Sequence, residues 1–152
     1  MKRFLLLPLL VLCFNTICLC GCSDPVKTFY ITYMENMLQH NSKNELLLKK
    51  YLSEGLLEKV TRVINATGSD PIIRAQDINS DAIETLSIKC LSKNWYMVSY
   101  YWNKKDDDTL IEVPINVQNI DGHCKITYIT PIWNGSRYGD DLISCGDQNG
   151  WI

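Results

Sequence analysis

The sequence predicts an α+β domain in which N-terminal helices pack on one face of a curved four-stranded antiparallel sheet. Three observations predict it. Between residues 26 and 64 the apolar positions recur in steps of three and four, the period of a helix with one buried side. After about Ile83 the period changes to two, in short runs rich in β-branched and aromatic residues. Helices first and strands afterwards, with no alternation of the two, is the order of an α+β domain and not of a parallel-sheet fold.

The first helix carries Val26, Phe29, Tyr30, Tyr33, Met34, Met37 and Leu38 on one face. Asp24 is its expected N-cap, Pro25 fits its first turn, and "HNSKN" ends it. "NELLLKKYL" predicts a short second helix capped by Asn44. Ser53 then caps a third, whose stripe is Leu56, Leu57, Val60, Val63 and Ile64, and "NATGSDP" breaks it. Asp70 followed by Pro71 predicts one more cap, opening a short helical turn over "PIIRAQ".

Four strands follow in "ETLSIKCL", "WYMVSYYW", "TLIEVPINV" and "CKITYIT", separated by the turns "SKN", "NKKDDD" and "NIDGH". Alternation places Leu86, Ile88 and Cys90 on the core face, with Tyr96, Val98, Tyr100 and Trp102. Ile111, Val113, Ile115 and Val117 join them, and Ile126 and Tyr128 complete the set. Pro114 inside the third strand predicts an edge position or a bulge. The "KKDDD" run reads as a solvated hairpin tip.

The start of the chain has its own logic. Lys2 and Arg3, then an apolar run, then Leu19-Cys20-Gly21 before Cys22, describe a secretory signal peptide ending in a lipobox-like sequence. The run is broken by Pro8 and Asn15 and is shorter than the ~20 residues a membrane span requires. The expected organisation is therefore a cleaved signal over 1–21, Cys22 as lipid attachment point with a short linker to residue 25, the domain over 26–130, and a C-terminal tail over 131–152. The expected location is the bacterial cell envelope, lipid-anchored to the outer membrane and facing the periplasm. Cys13, Cys18 and Cys20 leave with the signal, so they serve neither as ligands nor as disulfide partners.

Removing residues 1–21 leaves 131 residues, enough for one domain with a proper core. Thirteen basic residues then face 17 acidic ones, a net charge of −4. A mildly acidic chain without a basic patch argues against a nucleic-acid partner. Cys90, Cys124 and Cys145 remain beside Cys22, and a Cys124–Cys145 disulfide is one way to pin the tail. There is no CxxC, HExxH, GxSxG, Walker or dinucleotide glycine pattern. His123 and Cys124 are adjacent, so in a strand they point to opposite faces, and no metal or cofactor is expected.

"FYITYMENML", "KKYLSEGLLEKV", "SDPIIRAQD" and "NWYMVSYYWNK" together resemble domain of unknown function 3828, a family of bacterial secreted or lipidated proteins. The best match is Asp70-Pro71 followed by Ala75-Gln76-Asp77, and the resemblance covers residues 26 to 130. It implies a cystatin-like or nuclear-transport-factor-2-like fold and an envelope location, and it carries no catalytic residue over.

Three sets of side chains are candidates for function. Asp70, Arg74, Gln76 and Asp77 could line one end of a cavity, or could anchor a long helix-to-sheet connection. Tyr96, Tyr100, Trp102 and Tyr128 could form an aromatic ligand pocket, or simply core. Trp95, Met97 and Tyr101 face the other way, as a partner surface or as a face covered by the tail or by a second copy. The leading expectation is a non-enzymatic binding module, with a protein or a small ligand as partner. The alternatives are a periplasmic inhibitor or immunity protein, and an enzyme using a cavity acid–base pair on a small hydrophobic substrate.

Overall fold

A computed structural model gives the fold and describes residues 21–40, 43–104 and 107–130. All of the expected signal peptide but Gly21 lies outside the described residues, as does the tail from residue 131 with Cys145. The helices are α1 (Ser23–Leu38), α2 (Asn44–Tyr51), α3 (Glu54–Thr67) and a short α4 (Ser80–Glu84). The strands are β1 (Ser87–Cys90), β2 (Trp95–Asn103), β3 (Asp107–Ile120) and β4 (His123–Ile129). They form one antiparallel meander in the order β1-β2-β3-β4, with helices packed on one face. No described helix is long and apolar enough to cross a membrane.

α1 buries Val26, Phe29, Tyr30, Tyr33 and Met34, the stripe that its periodicity marks. It starts earlier than Asp24, with Cys22 as the capping residue. The reason is tertiary. The Cys22 carbonyl accepts the Val26 N–H at 3.0 Å, while the Cys22 N–H donates to the Tyr96 hydroxyl at 3.2 Å. α2 begins at Asn44, whose side chain accepts from Asn36 of α1 at 2.9 Å instead of capping its own helix. α3 keeps Ser53 as its extended N-cap residue and ends at Gly68, whose φ of 68° suits a residue without Cβ.

The α2–α3 connection lies along the free edge of β4. The Ser53 N–H donates to the Ile126 carbonyl at 2.9 Å. The Lys125 ammonium reaches the Lys49 and Lys50 carbonyls at 3.0 and 2.7 Å, a cation at the C-terminal end of a helix. The opposite edge is protected by brevity, since β1 has four residues.

Register explains which residues are inside. Cys90, Tyr96, Ile115 and Ile129 stand opposite one another in one row across the sheet, and Ile88, Val98 and Val113 in the next. Paired residues share a face, so this is the helix-covered side. The Asp121–Gly122 turn that joins β3 to β4 has φ of 52° and 79°, the two left-handed residues of a tight hairpin.

Tyr128 corrects the expected aromatic set. The register shifts between Asn116 and Val117, so that Val117 faces Ile126 but Asn116 faces Tyr128, and Thr127 is the extra residue of a bulge. One extra residue reverses the face of everything beyond it. Tyr128 thus stands on the outer side, its ring meeting Trp95 edge to face with centroids 6.0 Å apart. Pro114 is on β3, an interior strand, at the point where β4 ends. Its carbonyl accepts from the Thr130 N–H at 3.0 Å, and its missing donor falls beyond the last pair of β4.

"PIIRAQ" is also not helical. Asp70 and Ala75 exchange both backbone hydrogen bonds, at 2.9 and 3.3 Å, closing a loop that drives Ile72 and Ile73 fully into the core. The helical turn comes later, at α4, where the Asn79 side chain accepts from the Asp81 N–H at 2.9 Å.

The cysteines require one correction. Cys124 is bonded to Cys22 and not to Cys145, with Cα atoms 5.7 Å apart. One sulfur forms either this bond or a lipid thioether, and Cys22 is 8% exposed at the core margin. A sulfur held in this bond is not free for the lipid thioether expected of Cys22. Cys90 is likewise in a disulfide.

Candidate functional site

The polar cluster expected around Asp70 exists, but its members differ from those the sequence indicated. α1 contributes Tyr30 and Tyr33, one turn apart; the 70–75 loop contributes Asp70 and Arg74; β2 contributes Tyr100. A tyrosine on a core face usually brings its hydroxyl to a partner. Tyr33 donates to Asp70 Oδ2 at 2.5 Å, and Tyr100 donates to the Ile73 carbonyl. Asp70 Oδ1 accepts the Ile72 N–H at 2.8 Å, closing an Asx turn at the mouth of the loop.

Asp70 is 7% exposed, and Tyr30 and Tyr100 are fully buried. Burial pushes the Asp70 carboxyl above the ordinary carboxylate range, against the pull of hydrogen bonds from Tyr33 and the Ile72 and Ile73 N–H groups. Burial, first, and the Asp70 charge hold the phenols of Tyr33 and Tyr100 protonated far above the usual range. At neutral pH the tyrosines serve as fixed donors and not as acids.

This has a testable consequence for stability. A carboxyl raised on folding weakens the fold fully above its folded pKa, and that cost disappears as pH falls to the unfolded value of 3.8. Wild type is therefore expected to gain stability relative to Asp70→Asn as pH falls from 7 toward 4, read by urea unfolding at each pH. A gain in the opposite direction would mean that hydrogen bonds outweigh desolvation.

Arg74 has a different task. It adopts φ 51°, a left-handed conformation costing a non-glycine residue about 1–2 kcal/mol. Its guanidinium donates to the Glu112 carbonyl at 2.7 Å and to the Thr130 carbonyl at 2.6 Å. β4 stops at Ile129, and among the described residues no strand pairs with Glu112 of β3 on that side. The guanidinium ties these two carbonyls together, and two charge-assisted hydrogen bonds offset the backbone cost.

Gln76 and Asp77 are exposed, with Asp77 Oδ1 accepting the Ile78 N–H at 2.7 Å, so neither enters the cluster. Tyr96 and Tyr100 are buried as expected, and Trp102 packs half-buried against the core where the β2–β3 register shifts. The aromatic set thus divides, with three members inside and Tyr128 outside. The two missed members, Tyr30 and Tyr33, were visible as core-face residues of α1; the Tyr33 hydroxyl was the signal that a buried acceptor was needed, while the Tyr30 hydroxyl is buried without a hydrogen-bond partner.

The outer side of the sheet carries Trp95, Met97 and Tyr101 on β2, as the alternation predicted. All three are half-buried, Pro114 beside them is buried, and the Tyr128 hydroxyl is shut off from solvent. Elsewhere, an open depression of about 620 Å³ runs along α3, lined by Leu57, Glu58, Thr61, Arg62, Asn65 and Ala66. No predicted site residue takes part in it. Among the described residues no three His, Cys, Asp or Glu side chains come together as a metal site.

Comparison with solved structures finds a protein of unknown function from Bacteroides thetaiotaomicron VPI-5482, 36% identical, with a TM-score of 0.67 over 73% of this chain and 89% of that one. A chain of the type VI native effector–immunity complex Tae3–Tai3 from Ralstonia pickettii is also similar, at 15% identity and a TM-score of 0.53, over 73% of this chain and 94% of that one. At that identity the likeness is one of fold. No family model and no curated protein matches the chain.

Proposed function

The chain belongs to one family with the Bacteroides thetaiotaomicron protein of unknown function, and from that premise we propose that it is a non-enzymatic binding module of the bacterial envelope whose partner is another protein. The observation that carries the reading is how the interior polar groups are used. Asp70, Tyr33, Tyr100 and Arg74, the groups that could have offered acid–base chemistry, hold loop to helix and loop to sheet from buried or half-buried positions. What remains for function is the surface, and Trp95, Met97 and Tyr101 on the outer side of the sheet are its contact region in this reading.

Sulfur chemistry supports the location. Disulfides persist in oxidising compartments, and Cys22, Cys90 and Cys124 are all disulfide-bonded, which supports export by the N-terminal signal. The resemblance to domain of unknown function 3828 belongs to the same proposal. An inhibitor or immunity protein is its specific form, supported by the fold shared with a chain of an effector–immunity complex.

The test is calorimetric titration of the disulfide-intact protein with the purified products of neighbouring genes. The expected result is a one-to-one complex with Kd below about 1 µM, weakened at least ~10-fold by Trp95→Ala with Tyr101→Ala. A complex indifferent to that pair overturns the contact region. No complex, together with an Asp77-dependent turnover of a small hydrophobic substrate, overturns the reading as a whole.

A further inference from the structure

We propose that the outward face of α2 rests on an anionic phospholipid surface, with Leu46 entering the headgroup layer inside a ring of lysines. The apolar residues of "NELLLKKYL" do not share one face. Leu47, Leu48 and Tyr51 pack against the core, and Asn44 meets Asn36 of α1. Helical spacing then turns Leu46 away from all four. It is 74% exposed, more than any other large apolar side chain among the described residues. One exposed leucine carries little meaning alone. Its surroundings carry the argument. Lys43 and Lys49 stand three residues to either side and Lys50 four residues on, the spacings of neighbours on a helix surface, and all three are exposed. Glu45 is the one acidic residue of α2, and its 2.6 Å ion pair with Lys49 offsets a single charge. Lys125 adds its ammonium at the Lys49 and Lys50 carbonyls.

These cations come from separated positions, so the fold assembles a basic patch on a chain whose net charge is −2. Lysine stems spread along apolar surface while their ammonium groups stay with phosphates. An apolar tip among cations therefore matches a phospholipid surface in both respects, phosphates outside and acyl chains beneath. Lipid is favoured over an acidic protein by where the patch sits. The leucine-rich start of the sequence leads into Cys22, Cys22 is bonded to Cys124, and Lys125 follows. The patch thus adjoins the point where the chain enters the domain, and a bilayer that receives the exported chain is the surface it meets first. That choice rests on the envelope location proposed above; the binding test does not.

The exported, disulfide-intact full chain is sedimented with vesicles of phosphatidylcholine alone, and with vesicles of which about a third is phosphatidylglycerol. Any acyl chain or apolar leader acts on both kinds alike, so the ratio of the two affinities isolates the patch. The expected anionic preference is at least ~20-fold at low salt, falling toward one at about 0.5 M. Each lysine is worth ~5-fold, so Lys49→Gln with Lys50→Gln is expected to lower the preference at least ~10-fold. Leu46→Asp is expected to lower it at least ~5-fold. Lys89→Gln with Lys93→Gln makes the same charge change at the opposite edge of the sheet and should leave it unaltered. Equal losses from the two lysine pairs would reduce the effect to whole-molecule charge and overturn the proposal. So would the absence of any anionic preference, and if Lys49→Gln with Lys50→Gln then weakened the one-to-one protein complex, the patch would belong to that partner. The outer-sheet contact region is tested separately and survives a failure here.

Discussion

Cys22→Ser and Cys124→Ser are each expected to lower stability by about 4 kcal/mol, and by the same amount. The bridge closes a loop across a sequence separation of 102, for which the chain-entropy treatment gives about 4–5 kcal/mol. In a domain of this size that is a fall in Tm of roughly 15–20 °C. Each variant also leaves one thiol at the place where the first helix meets the sheet. Equality of the two losses is the informative part. A lipid anchor at Cys22 makes the variants differ: Cys22→Ser alone then frees the protein from membranes, and Cys124→Ser leaves stability untouched. Thermal unfolding and membrane fractionation of the two variants separate these cases.

Asp70→Ala is expected to cost about 3 kcal/mol, more than any other single truncation in the cluster. It strands the Tyr33 hydroxyl and the Ile72 N–H together, and each buried donor left without an acceptor costs about 1–3 kcal/mol. Tyr33→Phe removes one donor while leaving Asp70 its backbone partners, so its cost should be the smaller of the two. Chemical denaturation of the pair checks the order. Tyr33→Phe costing more than Asp70→Ala would mean that ring packing, and not the carboxylate, organises the loop.

The parts that were legible in the sequence were those set by period. α1 announces itself through Val26, Phe29, Tyr30, Tyr33 and Met34, and β2 through Tyr96, Val98 and Tyr100, because burial on one face repeats at the spacing of the element. What was not legible depends on single residues that break a period or on partners distant in sequence. Nothing in "CKITYIT" marks Thr127 as the extra residue, yet it decides the face of Tyr128. Asp70 is recognisable as an anchor, but its use by Tyr33, 37 residues earlier, is a tertiary fact. Arg74 gives no sign in sequence that it will turn left-handed to bind the Glu112 and Thr130 carbonyls. Cys22 is the sharpest case. A cysteine after leucine and small residues reads as an attachment point, and the same cysteine before a helix can equally be one half of a bridge. The position of Cys124, with its Cα 5.7 Å away, is what offers the second use, and no sequence pattern shows it.

The Cys22–Cys124 bond also makes the described domain a covalent ring, with both ends of the fold tied at one place. A peptidase that cuts once at an exposed site, Lys43 or Lys104 for example, opens the ring without dividing it. The two sides of the cut stay joined through sulfur, and the strands stay in register to refold around the nick. Loss of a fragment requires a second cut or a reductant. In the proposed envelope location, that is resistance to digestion from topology and not from rigidity.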